Sequence, residues 1–355
     1  MTKCKIKDIV LRVKDKVSLD CGLKYYVGGE HFDNGEVLVK KHGDIQGSTI
    51  GPAFHMRFHP NQVLLMSRNP HLRKAGMVDF EGICSDVSYV CETRDEQKFK
   101  QQLLPFLFQS DKFWTMAEQN KRGSTNFFLN WSDFEEFEMN IPAPSKQEKL
   151  CTLLWQMENT KQAYKNLLQK TDDMVRAKFE EMFENDKGER LLKKQWTDVV
   201  NIINGKDHKE ISGNGPYAVY GTGGKMMPAT EYMCDAGTII MGRKGTIDKP
   251  YIVSEKCWVV DTAFGVNPKD PAILNPIYLY QCIKRIDFSK LNKACTLPSV
   301  TKSDLLKLWI TIPPKKLQEK FVEFVQQVNR SKQQLQKSLD SLNAMMRALV
   351  NQSFN

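Results

Sequence analysis

Two short stretches of the chain gather side chains that could read or grip a polyanion. Arg68, Asn69, His71, Arg73 and Lys74 form one basic, amide-bearing run, and Arg243 and Lys244, flanked by Gly242 and Gly245, form another. A guanidinium can give two hydrogen bonds to a guanine edge, whereas a phosphate contact only positions the protein. Glycine beside the cations would let backbone N–H groups and side chains approach a phosphate or groove wall. Tyr217, Tyr220 and Thr222 add donors on an adjoining segment; Lys121 and Arg122 with Asn126, and Lys293, are lesser candidates. The plainer alternative makes Arg68 and Arg243 solvated turn residues and the tyrosines part of the core.

Other chemistries find less support. The nine cysteines include no Cys-x-x-Cys pair, so neither a zinc ribbon nor a thioredoxin-like site is spaced correctly, and they read as reduced thiols in a cytoplasmic protein. His55 and His59 have helical spacing but no ligand cluster nearby in sequence, so no metal is expected. Asn275-Pro276-Ile277-Tyr278 is similar to the Asn-Pro-Pro-aromatic motif of amino-methyltransferases, but its third position is Ile and no glycine loop precedes it; it reads as the start of a helix. Gly221-Thr222-Gly223-Gly224-Lys225 lacks the spacing of a phosphate-binding P-loop. No nuclease carboxylate–lysine cluster or Ser/His/Asp set stands out. A standalone methyltransferase or nuclease, and a coiled-coil scaffold without DNA, are the competing readings.

A net charge of +9 over 355 residues favours a polyanionic partner only modestly. With 41% hydrophobic and 26% charged residues, the composition excludes collagen-like and wholly disordered chains. No apolar run approaches the roughly 20 residues that span a bilayer, and Met1–Val17 carries too many charges for a signal peptide, so no membrane association is expected.

The elements that must position these side chains come in two copies. Ile141-Pro142…Gln147-Glu148-Lys149 recurs as Ile312-Pro313…Gln318-Glu319-Lys320, and at this offset of 171 the pairing runs without a gap from 141–183 to 312–354. Matches include Leu168/Leu339, Met174/Met345, Arg176/Arg347 and Phe183/Phe354, with Ser132-Asp133 and Ser303-Asp304 just upstream. Apolar residues fall at three- and four-residue steps: Phe321, Val325, Val328, Leu335, Leu339, Leu342, Met346 and Leu349 in one copy, Leu150, Leu154, Met157, Tyr164, Leu168 and Val175 in the other. Thr171 is a weak spot, and Lys161 and Lys332 interrupt both seams at the same place. No Gly or Pro breaks 147–183 or 318–354, so each can form a helix of roughly 55 Å at about 1.5 Å per residue. The cheapest partner for each is the other, antiparallel; the alternative is two amphipathic helices, each packed on its own domain.

Prolines 142, 144, 313 and 314 mark the helix starts, and Asn185-Asp186-Lys187-Gly188-Glu189 suits a C-cap and linker. The stretches around the helices carry β-type runs: Val63–Met66, Thr238–Met241 and Trp258–Val260. They are weak copies of each other, with Lys7-Asp8-Ile9-Val10 parallel to Thr197-Asp198-Val199-Val200 and Met66-Ser67-Arg68 parallel to Met241-Gly242-Arg243. The expected fold class is α+β: two globular mixed α/β domains alternating with two long helices that pair as an antiparallel coiled coil. The expected boundaries are a first domain at 1–143, a helix at 144–185, a second domain at 186–314 and a helix at 315–355.

This order resembles the specificity (S) subunit of type I restriction-modification systems, and the likeness covers nearly the whole chain. In the first domain it is carried by Tyr26-Val27-Gly28-Gly29-Glu30-His31, by Val63-Leu64 through Arg68-Asn69-Pro70-His71-Leu72-Arg73-Lys74, and by Gly82-Ile83-Cys84-Ser85. In the second it is carried by Gly215 through Gly224 and by Gly242-Arg243-Lys244-Gly245-Thr246-Ile247-Asp248; the two Ile-Pro…Gln-Glu-Lys helix starts complete it. These segments differ between the halves, which implies that the two domains read different sequences. The second position of Gly28-Gly29-Glu30-His31 is not the leucine that the family pattern leads one to expect. The resemblance implies a non-catalytic, sequence-specific subunit that binds double-stranded DNA and reads a split target, its helix pair acting as a ruler over an unread spacer. It implies two modification (methyltransferase) subunits bringing S-adenosylmethionine and adenine methylation. It also implies restriction/translocase subunits bringing ATP, Mg and nuclease activity, with no cofactor on this chain.

Overall fold

The computed structural model describes residues 1–124, 127–184, 192–291 and 298–354. The expected linker at 185–189 lies outside them, as do Asn126 and Lys293. The chain divides into two units, Met1–Leu167 with Leu335–Asn355, and Leu168–Gln334, so each unit holds one globular domain and one end of each long helix.

The first unit opens with Thr2–Lys5, which pairs antiparallel with Glu138–Ile141 and so closes the domain at its own helix start. A four-stranded antiparallel sheet follows in the order Val10–Val13, Ser88–Thr93, Val63–Met66, Ala75–Met77. A second sheet is mixed, with Tyr25–Val27 running parallel to Gly82–Ser85. Val63, Leu64, Leu65 and Met66 are all buried, as expected of a strand covered on both faces. Two helices, Leu104–Gln109 and Asp111–Gln119, then bring Phe106, Phe108, Phe113 and Trp114 into the core.

The second unit repeats this plan. Leu192–Gln195 pairs with Trp309–Ile312, and the four-stranded sheet has the order Val200–Asn204, Ala263–Pro268, Ile239–Gly242, Tyr251–Ile252. Ser212–Gly221 again pairs parallel, here with Cys257–Val259, and forms a hairpin with Gly224–Ala229. One helix, Pro276–Ile283, is capped by the Asn275 side chain, which accepts the Ile277 N–H at 2.8 Å. The Asn-Pro-Ile-Tyr segment is thus a helix start, and Tyr278 is buried with its hydroxyl on the Thr311 carbonyl. Gly221–Lys225 is the turn of the hairpin.

The long helices span Pro144–Phe183 and Lys315–Phe354. In the first unit Leu154 of the first helix shares a core with Met346, Val350 and Phe354 of the second. In the second unit Val175, Phe179 and Phe183 share one with Phe321, Val325 and Val328. The start of one helix therefore meets the end of the other in both units, the antiparallel pairing of the fold class. Phe179 and Phe183, absent from the seam expected from spacing, lie 5.5 and 5.3 Å from the Phe321 ring.

The repeated glutamine explains why the helix starts are alike. Gln147 is buried, accepts the Lys100 N–H at 2.9 Å, and donates to the carbonyls of Lys98 (2.7 Å) and Pro142 (2.9 Å). Gln318 accepts the Asn275 N–H at 2.9 Å and donates to Ile273 and Pro313, each at 2.9 Å. One side chain per copy satisfies three backbone groups that burial would otherwise leave bare, a recurring solution for buried polar backbone.

Candidate nucleic-acid interface

In the first unit the fully buried strand Val63–Met66 delivers the chain to the surface at Arg68. Ser67 is fixed by its N–H (2.9 Å) and hydroxyl (2.8 Å), both on the Val87 carbonyl, and its own carbonyl takes the Leu129 N–H at 2.9 Å. Asn69 donates its N–H to Phe127 at 2.8 Å, which leaves Arg68 as a bridge residue opposite Phe128. The chain then makes a single 3₁₀ turn, Pro70–Leu72. Arg68 and His71 are exposed, Asn69 is half-buried, and none of the three side chains has a partner among the described residues.

Arg73 and Lys74 are engaged elsewhere. Arg73 Nη1 donates to Asp111 Oδ1 at 2.6 Å, and Lys74 Nζ to the Gly29 carbonyl at 2.6 Å. Lys121 pairs with Glu118 at 3.0 Å, and Arg122 makes a two-pronged pair with Asp133 at 2.7 and 2.8 Å.

In the second unit the equivalent strand, Ile239–Gly242, ends at Arg243. The glycines do not serve the purpose that their neighbours suggested. A Cβ on Gly242 would lie 1.9 Å from the Thr246 carbonyl oxygen, so this glycine exists to let its own loop close, and Gly245 has φ +81°. The N–H groups of Arg243 and Lys244 both go to the Thr262 carbonyl (2.9 and 3.2 Å), and that of Gly245 goes to Pro298 (2.9 Å). They are spent inside the protein and cannot cradle a phosphate. The side chains remain: the Arg243 guanidinium lies 5.8 Å from the Phe264 ring centre, half-buried, and Lys244 is exposed.

The tyrosines are held within the domain. Tyr217 packs on Tyr232 with ring centres 4.8 Å apart. Tyr220 donates to Glu255 at 2.7 Å, a carboxylate shared with Lys225 at 2.8 Å. Burial and the Glu255 charge push the Tyr220 hydroxyl up to about 12, so it stays protonated. Thr222 sits half-buried in the hairpin turn. Arg68 and Arg243, though 175 residues apart, thus emerge from the same edge of the same strand in two copies of one sheet.

A family model described as the type I restriction modification DNA specificity domain matches residues 176–343. Over nearly its whole length the chain has the fold of the type I restriction-modification system S subunit from M. genitalium, with a TM-score of 0.58 at 15% identity, covering 100% of this chain and 96% of that one. The chain carries a type I restriction-modification DNA specificity domain. Its fold is equally similar (TM-score 0.58, 16% identity, 99% and 97% covered) to a chain from work on complex assembly and conformational transition of the type I R-M system. A search of curated proteins finds no match.

With this specificity domain the protein binds DNA. His59 lies between Asp15 (3.4 Å) and Glu81 (3.2 Å), which sequence spacing did not disclose, but Arg57 already occupies Glu81. No group of three or more His, Cys, Asp or Glu side chains suited to a metal occurs among the described residues. No described helix is long and apolar enough to cross a membrane. What the sequence did not reveal is Asp111, which accepts from Arg73, Arg347 and Asn351. Its partners are up to 240 residues away, and no local signal marks it.

Proposed function

We propose that residues 1–143 and 186–314 are two target-recognition domains, each reading one half of a split DNA sequence. The helices at 144–185 and 315–355 set the interval between the halves. The observation that carries this reading is the equivalent placement of Arg68 and Arg243 at the end of a buried strand, with side chains that make no hydrogen bond or ion pair among the described residues. Arg68 and Arg243 contact base edges. Asn69 and His71, next to Arg68 along the chain, and Thr222, in the hairpin turn of the second domain, contribute, and Lys244 grips phosphate. Arg73, Lys74, Tyr217 and Tyr220 shape the surface from behind. The domains differ in these segments and would read different half-sites.

The chain itself carries no catalytic group in this scheme. Two modification subunits supply S-adenosylmethionine and methylate adenine, and restriction/translocase subunits supply ATP, Mg and cleavage, in the cytoplasm. Met174 and Met345, equivalent in the repeat and exposed on both long helices, suit contact with such partners. Mapping methylated adenines in DNA from cells with and without this chain tests the scheme. The loss of one split motif is the expected result, and an unchanged pattern contradicts it. Inserting about one heptad in the middle of the first long helix should change the spacer and leave both half-sites intact.

A further inference from the structure

The loop that presents Arg68 and His71 has a backbone that its residue types disfavour. Asn69 and Arg73, on either side of the turn Pro70–Leu72, have φ of +52° and +49°. Asparagine tolerates this left-handed region; arginine does so seldom, and such residues persist only where their surroundings impose them. The surroundings here are side chains. Lys74 Nζ reaches the Gly29 carbonyl, Gln109 Nε2 donates to the Ala75 carbonyl at 2.6 Å, and Arg73 Nη1 meets Asp111.

Asp111 is where this loop joins the long helix. Ser110 caps the helix Asp111–Gln119 by accepting the Phe113 N–H at 3.3 Å, which puts Asp111 in its first turn. The same carboxylate that takes Arg73 also takes Arg347 (Nη2 on Oδ1 and Nε on Oδ2, both 3.0 Å) and Asn351 (Nδ2 on Oδ2, 2.5 Å). Asn351 Oδ1 in turn accepts the Asp111 N–H at 2.8 Å. Arg347 and Asn351 are one turn apart on the second long helix, and no hydrogen bond links either to residues 68–74 among the described residues. Among the described residues the other unit shows no such wiring. There Arg285 docks on Glu180 and Glu184 (3.2 and 2.8 Å), while the Arg243 segment is held by its own backbone bonds.

We propose that Asp111 is a positioning residue for target recognition, tying the loop Arg68–Lys74 to the last turns of the second long helix so that Arg68 and His71 meet the DNA in one fixed orientation. The proposal rests on the reading that this loop contacts DNA, and its test separates the two. The full chain is assembled with its modification partner, and competition binding is measured on duplexes substituted at single bases in each half-site, alongside amide exchange of residues 66–77. Arg347→Ala, at a residue with no hydrogen bond to the loop among the described residues, and Asp111→Asn should each lower discrimination in the first domain's half-site by about tenfold, the size of a lost bidentate base contact. Both should speed exchange of the loop and leave the other half-site unchanged, and Arg347→Lys should restore part of the loss. Arg285→Ala, in the other unit, should leave the first half-site untouched. If Arg68→Ala with His71→Ala lowers discrimination but Arg347→Ala and Asp111→Asn do not, the positioning role is overturned. If Arg68→Ala with His71→Ala changes nothing, the DNA reading beneath it falls, and the proposal with it. Should Asp111→Asn fail to fold, Arg347→Ala carries the test alone.

Discussion

Lys161 and Lys332 occupy the same place in the two copies of the long helix, and the two units treat them differently. Lys161 is buried, 5% exposed, with its ammonium 2.7 Å from the fully buried Glu158 and 2.8 Å from Glu36 of the first domain. The Glu158 oxygen facing it is poorly aligned for a hydrogen bond and is held by charge; the other oxygen takes Gln162 at 2.6 Å. Burial opposes the charge on both Lys161 and Glu36, but Glu158 and then Glu36 outweigh it for the lysine, which is raised, and Lys161 with Lys165 outweigh it for Glu36, which is lowered, so both stay ionised. Lys332 instead reaches Asp172 on the other long helix at 2.7 Å, with both side chains well exposed to water. Asn343, the repeat equivalent of Asp172, carries no charge, so in the first unit the carboxylates come from the domain and from the lysine's own helix. The docks are inverted as well, with a domain carboxylate on a helix cation in one unit and a domain cation on two helix carboxylates in the other. A duplicated scaffold has kept its apolar plan and diverged in how its charges are matched.

The largest break in this comparison should come from Lys161→Ala. Removing the lysine leaves Glu158 buried without a cation, while Glu36 keeps Lys165 at 2.8 Å; breaking such a buried pair costs about 3–5 kcal/mol, whereas Lys332→Ala should cost under about 1 kcal/mol because its pair is solvated. Urea unfolding followed by amide exchange, peptide by peptide, compares the two; similar losses would mean that the apparent asymmetry carries no energetic weight.

Gln147→Ala and Gln318→Ala sharpen the comparison from the other side. Each leaves buried backbone groups unpaired, at about 1–3 kcal/mol, and because the contacts are the same in both copies the two losses should match. A difference well outside measurement error in their urea midpoints would show that the repeat is less symmetric than its hydrogen bonds.

The Asp111 dock predicts a smaller, pH-dependent effect. Burial would raise this carboxyl, but hydrogen bonds from Arg347, Arg73 and Asn351 outweigh it and bring it from 3.8 down to about 2. A depressed carboxyl stabilises the fold above its unfolded value and loses that contribution as pH falls from about 4 towards about 2. Asp111→Asn should therefore cost stability at pH 6 and little at pH 2.5. An equal cost at both would assign the effect to packing rather than charge.

How much of this was legible follows from the range of each interaction. The long helices were readable because their apolar spacing and the lack of Gly or Pro are local, and the strand Val63–Met66 because a fully buried strand is a plain apolar run. The repeated Gln-Glu-Lys was visible as a pattern, but the task of Gln147 depends on carbonyls some fifty residues back in sequence. Phe179 and Phe183 fall outside a strict seam ending at Val175 because the domain's Tyr278 widens the apolar face at the helix end. In sequence a glycine that admits its own Thr246 carbonyl, as Gly242 does, looks the same as one that admits an outside ligand. Adjacency groups Arg73 with Arg68, although the 3₁₀ turn between them and the left-handed Asn69 and Arg73 beside it turn one to solvent and the other to Asp111.

The most direct test of the account is methylated-adenine mapping in cells that carry the modification partner and either the intact chain, Arg68→Ala or Arg243→Ala. The account predicts that each substitution relaxes one position in a different half of the same split motif, with the spacer unchanged. A motif left intact by both substitutions, or one substitution relaxing positions in both halves, would contradict it.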